Sequence, residues 1–191
     1  MNKTALKILT AGETLFKKHG QKRVTIEEIC RTAGVSKMTF YKYFPNKVEL
    51  AKKILSRLAE TQLAAFRELM SREIPFEEKI RESIRTKLEA SRSFGNEWPR
   101  EILENPGSEI GLFVQRMSGE IARAIREEYE KAQKKGDIRA DIRMDFILYF
   151  LDHTQQLLRD ERLLTMYGSI ESLTAELMNF FFWGILPRGK S

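Results

Sequence analysis

The sequence predicts an all-α protein, with an N-terminal three-helix helix-turn-helix domain followed by a larger helical bundle. Three observations carry that expectation. Apolar residues recur at the helical period of about 3.6 along nearly the whole chain, and no segment alternates with a period of two for long enough to be a strand. The breaks between periodic segments fall at glycines and prolines, among them Gly34, Pro45, Pro75, Gly136 and Gly168. Residues 24–47 read as a helix, a glycine turn and a second short helix crowded with aromatics and lysines.

The elements can be justified in order. A first helix ends at His19 beside Gly20, where a cation favours the C-terminal dipole. Thr25 caps the next helix, and Glu28 three residues on completes a capping box. Ile26, Ile29, Cys30 and Ala33 form its apolar stripe, and Gly34 supplies the positive φ that ends it. Ser36 caps the second helix of the motif and Pro45 stops it. Asn46 with Glu49 opens a long helix to Met70. Further helices are expected over 76–93, over 108–135, from Asp141 through Leu158 as far as Gly168, and over 170–185, with a helical turn or two near Arg100 to Glu104. These signals divide the chain into a helix-turn-helix domain, 1–46, and a helical domain, 47–191, joined by the helix 47–70.

The second helix of the motif carries the functional signal. At about 100° per residue, Phe40 and Phe44 share one face, as a buried pair would. Met38, Thr39, Tyr41 and Lys42 point the other way, a face suited to base edges, thymine methyls and phosphates. The capped N-terminus at Ser36 offers free N–H groups to a phosphate. Charge supports the same reading. Residues 1–60 hold 13 Lys/Arg and 5 Asp/Glu, a net +8, whereas the remaining 20 Lys/Arg and 22 Asp/Glu give −2. The basic character sits where a polyanion would dock.

Residues 5–55 resemble the DNA-binding domain of the tetracycline-repressor (TetR) family. The resemblance rests on Ile8-Leu9, Leu15-Phe16, His19-Gly20, Val24-Thr25-Ile26, Ile29-Cys30 and the run from Ala33 through Lys47 to Leu50. It implies that Lys37, Met38, Thr39 and Lys42 face bases, and that Thr25, Tyr41, Tyr43 and Lys47 hold phosphates. Met38 stands where the family commonly has a small residue or proline, so the operator sequence does not carry over. In the C-terminal half only Gly136 to Ile142 resembles the family.

The last helix is apolar around most of its circumference, through Leu173, Leu177, Phe180 and Phe181. Such a helix needs cover on more than one side, most simply from a second copy. The resemblance implies the same, because the family pairs its last two long helices between subunits. The aromatic stretch broken by Pro and Gly between Phe94 and Met117 is the expected site of a ligand pocket. Phe66, Met70, Phe94, Trp98, Phe113, Met117, Tyr149 and His153 are its candidate lining.

Catalysis finds no support. There are two histidines far apart, one cysteine, and no Cys/His ligand spacing, Walker loop or nucleophile elbow. No metal, cofactor or enzymatic activity is expected. The most apolar stretch, 177–186, is too short to span a bilayer, and a cytoplasmic location is expected. The expected function is a homodimeric, ligand-responsive transcriptional regulator, most simply a repressor, that binds a palindromic operator and is released by a small hydrophobic effector. The alternative is a helical carrier of lipids or other hydrophobes whose basic end docks on acidic membranes. The glycine turn argues against it, because membrane-surface helices place Leu and Trp opposite Lys without such a break.

Overall fold

The computed structural model describes residues 2–93, 97–157 and 160–185. These form helices alone: α1 (Lys3–His19), α2 (Ile26–Ala33), α3 (Lys37–Tyr43), α4 (Lys47–Ser71), α5 (Phe76–Ser93), α6 (Glu97–Glu104), α7 (Glu109–Lys135), α8 (Met144–Leu157), α9 (Glu161–Tyr167) and α10 (Ile170–Ile185). Contacts divide the chain into two compact units, one of residues 1–65 and 85–121, the other of residues 66–84 and 122–191. The first unit therefore takes in most of α4, as far as residue 65, and all of α6 together with the helix-turn-helix.

In the first unit, Ile8, Leu9 and Phe16 of α1, Ile29, Cys30 and Ala33 of α2, and Phe40 of α3 close a core with Leu50, Ile54 and Leu55 of α4. Trp98 of α6 and Ile110 of α7 join it. Gly12 lets α4 come close, since a Cβ there would lie 2.9 Å from Leu50 Cδ2. In the second unit the core is Leu69, Met70, Phe76, Ile80, Tyr129, Ile138, Ile147, Phe181 and Ile185. The Gly136–Ile142 segment is bound into this unit by its backbone. Gln133 Nε2 donates to the carbonyls of Arg139 and Ile142, at 3.0 and 2.9 Å, and the Arg139 N–H donates to Ile185 O at 2.9 Å.

Two elements differ from the sequence-based expectation. The single helix expected from Asp141 to Gly168 is two, because Asp160 caps a new one by accepting the N–H groups of Arg162 and Leu163. The helical turn or two expected near Arg100 to Glu104 is present and starts earlier, at Glu97. Pro99 is tolerated there because the N–H groups of a first turn have no intrahelical partner.

Candidate nucleic-acid interface

The interface is built from the caps outward. Thr25 and Glu28 form a complete capping box: the Glu28 N–H donates to Thr25 Oγ1, and the Thr25 N–H donates to Glu28 Oε2 at 2.7 Å. Those bonds hold the Glu28 carboxyl below its ordinary pKa. Gly34 ends α2 in the left-handed region, φ 65° and ψ 42°, and its N–H returns to the α2 carbonyls. The turn aims α3 away from α2. Ser36 Oγ then accepts the Thr39 N–H at 3.1 Å and caps α3.

The two faces of α3 separate as its period requires. Phe40 is wholly buried, and Phe44 lies beside it with ring centroids 5.9 Å apart. On the opposite face Met38 is 83% exposed and Tyr41 53%, with Lys42 and Lys37 also in solvent. Thr39 and Tyr43 are half-buried along the edges. A thioether standing almost free in water gains nothing from folding. Its exposure calls for a partner or for tolerance of a cost. Lys37 pairs with Glu27 of α2, which raises the pKa of the lysine and lowers that of the carboxyl.

Lys47, the first residue of α4, is engaged within the protein. Its Nζ donates to Val24 O at 2.6 Å and to Lys22 O at 3.1 Å, so it fastens the α1–α2 loop. Burial pushes its pKa down, against the pull of Glu101 and Glu28. Two of its three ammonium donors are thus occupied, and one is left for a phosphate.

The candidate ligand residues scatter. Trp98 does not line a pocket: it is wholly buried in the core of the first unit, its ring 5.1 Å from that of Phe16. Phe66 and Met70 belong to the core of the second unit. Tyr149 is exposed on α8 with His153 stacked on it at 3.9 Å, and His153 Nδ1 lies 2.8 Å from Tyr149 O. Phe94 lies outside the described residues. Phe113 and Met117 do line a cleft of about 250 Å³ between α4 and α7 in the first unit. Its other walls are Ala59, Leu63 and Ile121, with Ser56, Glu60, Arg116 and Glu120 among them.

Of the residues expected at a dimer interface, Leu173 and Phe181 are buried within their own unit, Leu177 is half-buried, and Phe180 is 72% exposed. Phe180, Phe146 and Phe150 flank an apolar groove of about 560 Å³ between α8 and α10.

Residues 8–54 match the model of the bacterial regulatory proteins of the tetR family. The match spans the helix-turn-helix, so this region is similar to that family. The chain is similar to the HTH-type transcriptional regulator UidR of Escherichia coli, with 28% identity over 176 residues, covering 91% of this chain and 83% of that protein. It is also similar to YdgC of Bacillus subtilis, an uncharacterised HTH-type transcriptional regulator, with 22% identity over 96% of this chain and 93% of that one. The structure of Salmonella enterica GusR shares the fold at a TM-score of 0.73 and 22% identity, with 94% of each chain covered. The all-α architecture and the match of residues 8–54 to the tetR-family model thus agree with the sequence-based expectation.

Two contacts of this domain have no signature in the sequence, and a third group has a second role that the sequence does not show. Glu27 neutralises Lys37, and Glu101 of α6 accepts the Lys22 N–H through both carboxylate oxygens, at 3.0 and 3.2 Å. Lys47 was expected on a phosphate and is a loop clamp besides. The Glu27–Lys37 pair had no periodic signature, because its partners lie on different helices. The Glu101 contact joins residues 79 apart, a separation at which no local pattern points.

Proposed function

We propose that the protein is a homodimeric transcriptional repressor that binds a palindromic operator through α3 and is released by a small, largely apolar effector. The observation that carries this reading is the solvent face of α3. Met38, Tyr41 and Lys42 project from a helix whose other face is locked into a core, so an apolar, an aromatic and a basic side chain share one exposed face. Lys42 and Lys37 are candidates for guanine edges and Met38 for thymine methyls. Thr25, Ser36, Tyr41, Tyr43 and Lys47 are candidates for phosphates, with Thr39 set between the two roles. UidR and YdgC carry the name of HTH-type transcriptional regulators, which supports regulation of transcription here.

The homodimer reading rests on Phe146, Tyr149 and Phe180, large apolar side chains left in solvent on α8 and α10. A second copy related by a two-fold axis would cover them, and a palindromic site asks for two α3 helices about 34 Å apart, one helical turn of DNA. The effector reading rests on the cleft between α4 and α7. Its floor is apolar and its rim carries both charge signs, so it suits a compact apolar molecule with one polar group. An effector that favours a different spacing of the α3 pair would release the operator.

Selection of duplexes from a random library, followed by sedimentation, tests the whole reading. A palindromic site should emerge, with binding that weakens steeply as salt rises. Phe146→Glu with Phe180→Glu should give monomers that lose the palindrome. A protein that prefers no duplex would overturn the reading, and an unchanged dimer mass would place the interface elsewhere.

A further inference from the structure

The loop between α1 and α2 has four anchors. The Gly20 N–H donates to Phe16 O at 2.9 Å. Lys47 Nζ takes the carbonyls of Lys22 and Val24. The fourth anchor comes from α6, where the Glu101 carboxylate accepts the Lys22 N–H through both oxygens. The peptide groups that flank Lys22 are therefore gripped on the N–H side by an anion and on the C=O side by a cation. Gly20 makes room for the grip. A Cβ there would stand 2.7 Å from Glu101 Oε2, and the residue is at φ +75°, where only glycine is at ease.

The α6 helix is itself fixed. Trp98, one turn earlier, is buried against Phe16, and Asn105 Nδ2 donates back to Glu101 O at 2.9 Å. What the loop presents is a run of DNA-facing chemistry. Lys22 and Arg23 are exposed cations, and Thr25 caps α2 directly after them. Yet the group that holds this run is an anion, which by its own charge repels a phosphate.

We infer that Glu101 is a positioning residue for DNA binding, holding the Lys22–Thr25 segment of the α1–α2 loop in register for the phosphate backbone from a helix outside the helix-turn-helix. The inference rests on the reading of this domain as a DNA-binding one. It makes a prediction of sign. If Glu101 acted only as a charge near DNA, any neutral replacement would strengthen binding. If it acts by position, replacements of equal charge must differ according to whether an acceptor oxygen remains.

The test compares Glu101→Gln with Glu101→Ala in the full-length protein, using the duplex selected by wild type and a random duplex of equal length. Glu101→Gln keeps one acceptor for the Lys22 N–H and should bind both duplexes at least as tightly as wild type. Glu101→Ala should bind both about tenfold more weakly, because the released loop must then be ordered on binding. Its salt dependence should be shallower by about one phosphate contact. Hydrogen exchange at the Lys22 amide should quicken in Glu101→Ala and stay slow in Glu101→Gln. Equal affinities for the two variants, after correction for the folded fraction, would overturn the inference even if the alanine variant melts earlier. A wild type that prefers no duplex would instead remove the DNA-binding reading, and this inference with it.

Discussion

Replacing Lys47 by methionine separates the two roles available to that side chain. Methionine keeps the apolar stem and deletes the ammonium. The structure gives the ammonium two acceptors, Val24 O at 2.6 Å and Lys22 O at 3.1 Å. A hydrogen bond from a charged donor is worth about 1.5–3 kcal/mol on deletion. Lys47 is half-buried, so the low end applies, and two bonds amount to about 3 kcal/mol. Relief of the burial that pushes the lysine pKa down returns part of that. The expected net loss is about 2 kcal/mol of folding stability, or roughly 4–8 °C in Tm for a chain of this length. The assay is thermal and urea unfolding at fixed protomer concentration without DNA, because the proposed dimer would make the midpoint concentration-dependent. Operator affinity should fall as well. If stability stayed at the wild-type value while affinity dropped with one fewer contact in the salt slope, Lys47 would serve phosphate alone, and the clamp reasoning would be refuted.

Two further predictions follow from the same unit. Trp98→Ala should destabilise by about 3–5 kcal/mol in urea unfolding, since it removes a wholly buried indole and leaves a void beside Phe16; a cost below about 1 kcal/mol would contradict its place in the core. The Glu28 carboxyl is held below its ordinary value of 4.5 by Thr25, and a depressed folded pKa gives stability that is present above the unfolded value and lost as pH falls through the folded one. The stability gap between wild type and Glu28→Gln should therefore be flat from neutral pH down to about 5, where the carboxyl stays charged in both states, and should change below it; a gap that is constant down to pH 3 would show that the carboxyl is not held by the box.

The helix-turn-helix was legible because each of its decisions is local. The Thr25–Glu28 box, the Gly34 turn, the Ser36 cap and the Phe40–Phe44 face are set by residues three or four apart, the range over which sequence patterns speak. The region expected to hold a ligand was legible only in outline. Periodicity shows that Trp98 lies on an apolar stripe of α6, but not whether that stripe meets a void or another ring, and here it meets Phe16. The cleft was half found, through Phe113 and Met117, because its α4 wall of Ala59 and Leu63 is made of small or ordinary apolar residues that announce nothing. The break before α9 was missed because Asp160 acts as a cap within a stretch whose apolar residues keep their helical spacing across it.

The burial of Phe16 under Trp98 bears on how regulators of this kind can be recombined. A chimaera that joins residues 1–46 of this chain to the body of another regulator would leave behind Leu50, Ile54, Trp98 and Glu101, all of which the first three helices lean on. The transplanted piece would carry its reading face intact, yet it would show Phe16 to water and leave the Lys22 peptide without its anchors. The smallest portable reader in this protein is discontinuous in sequence: the first three helices, the opening turns of α4, and α6. Exchange of DNA specificity between such proteins is therefore better attempted by grafting the exposed positions of α3 onto a resident scaffold than by moving the domain whole.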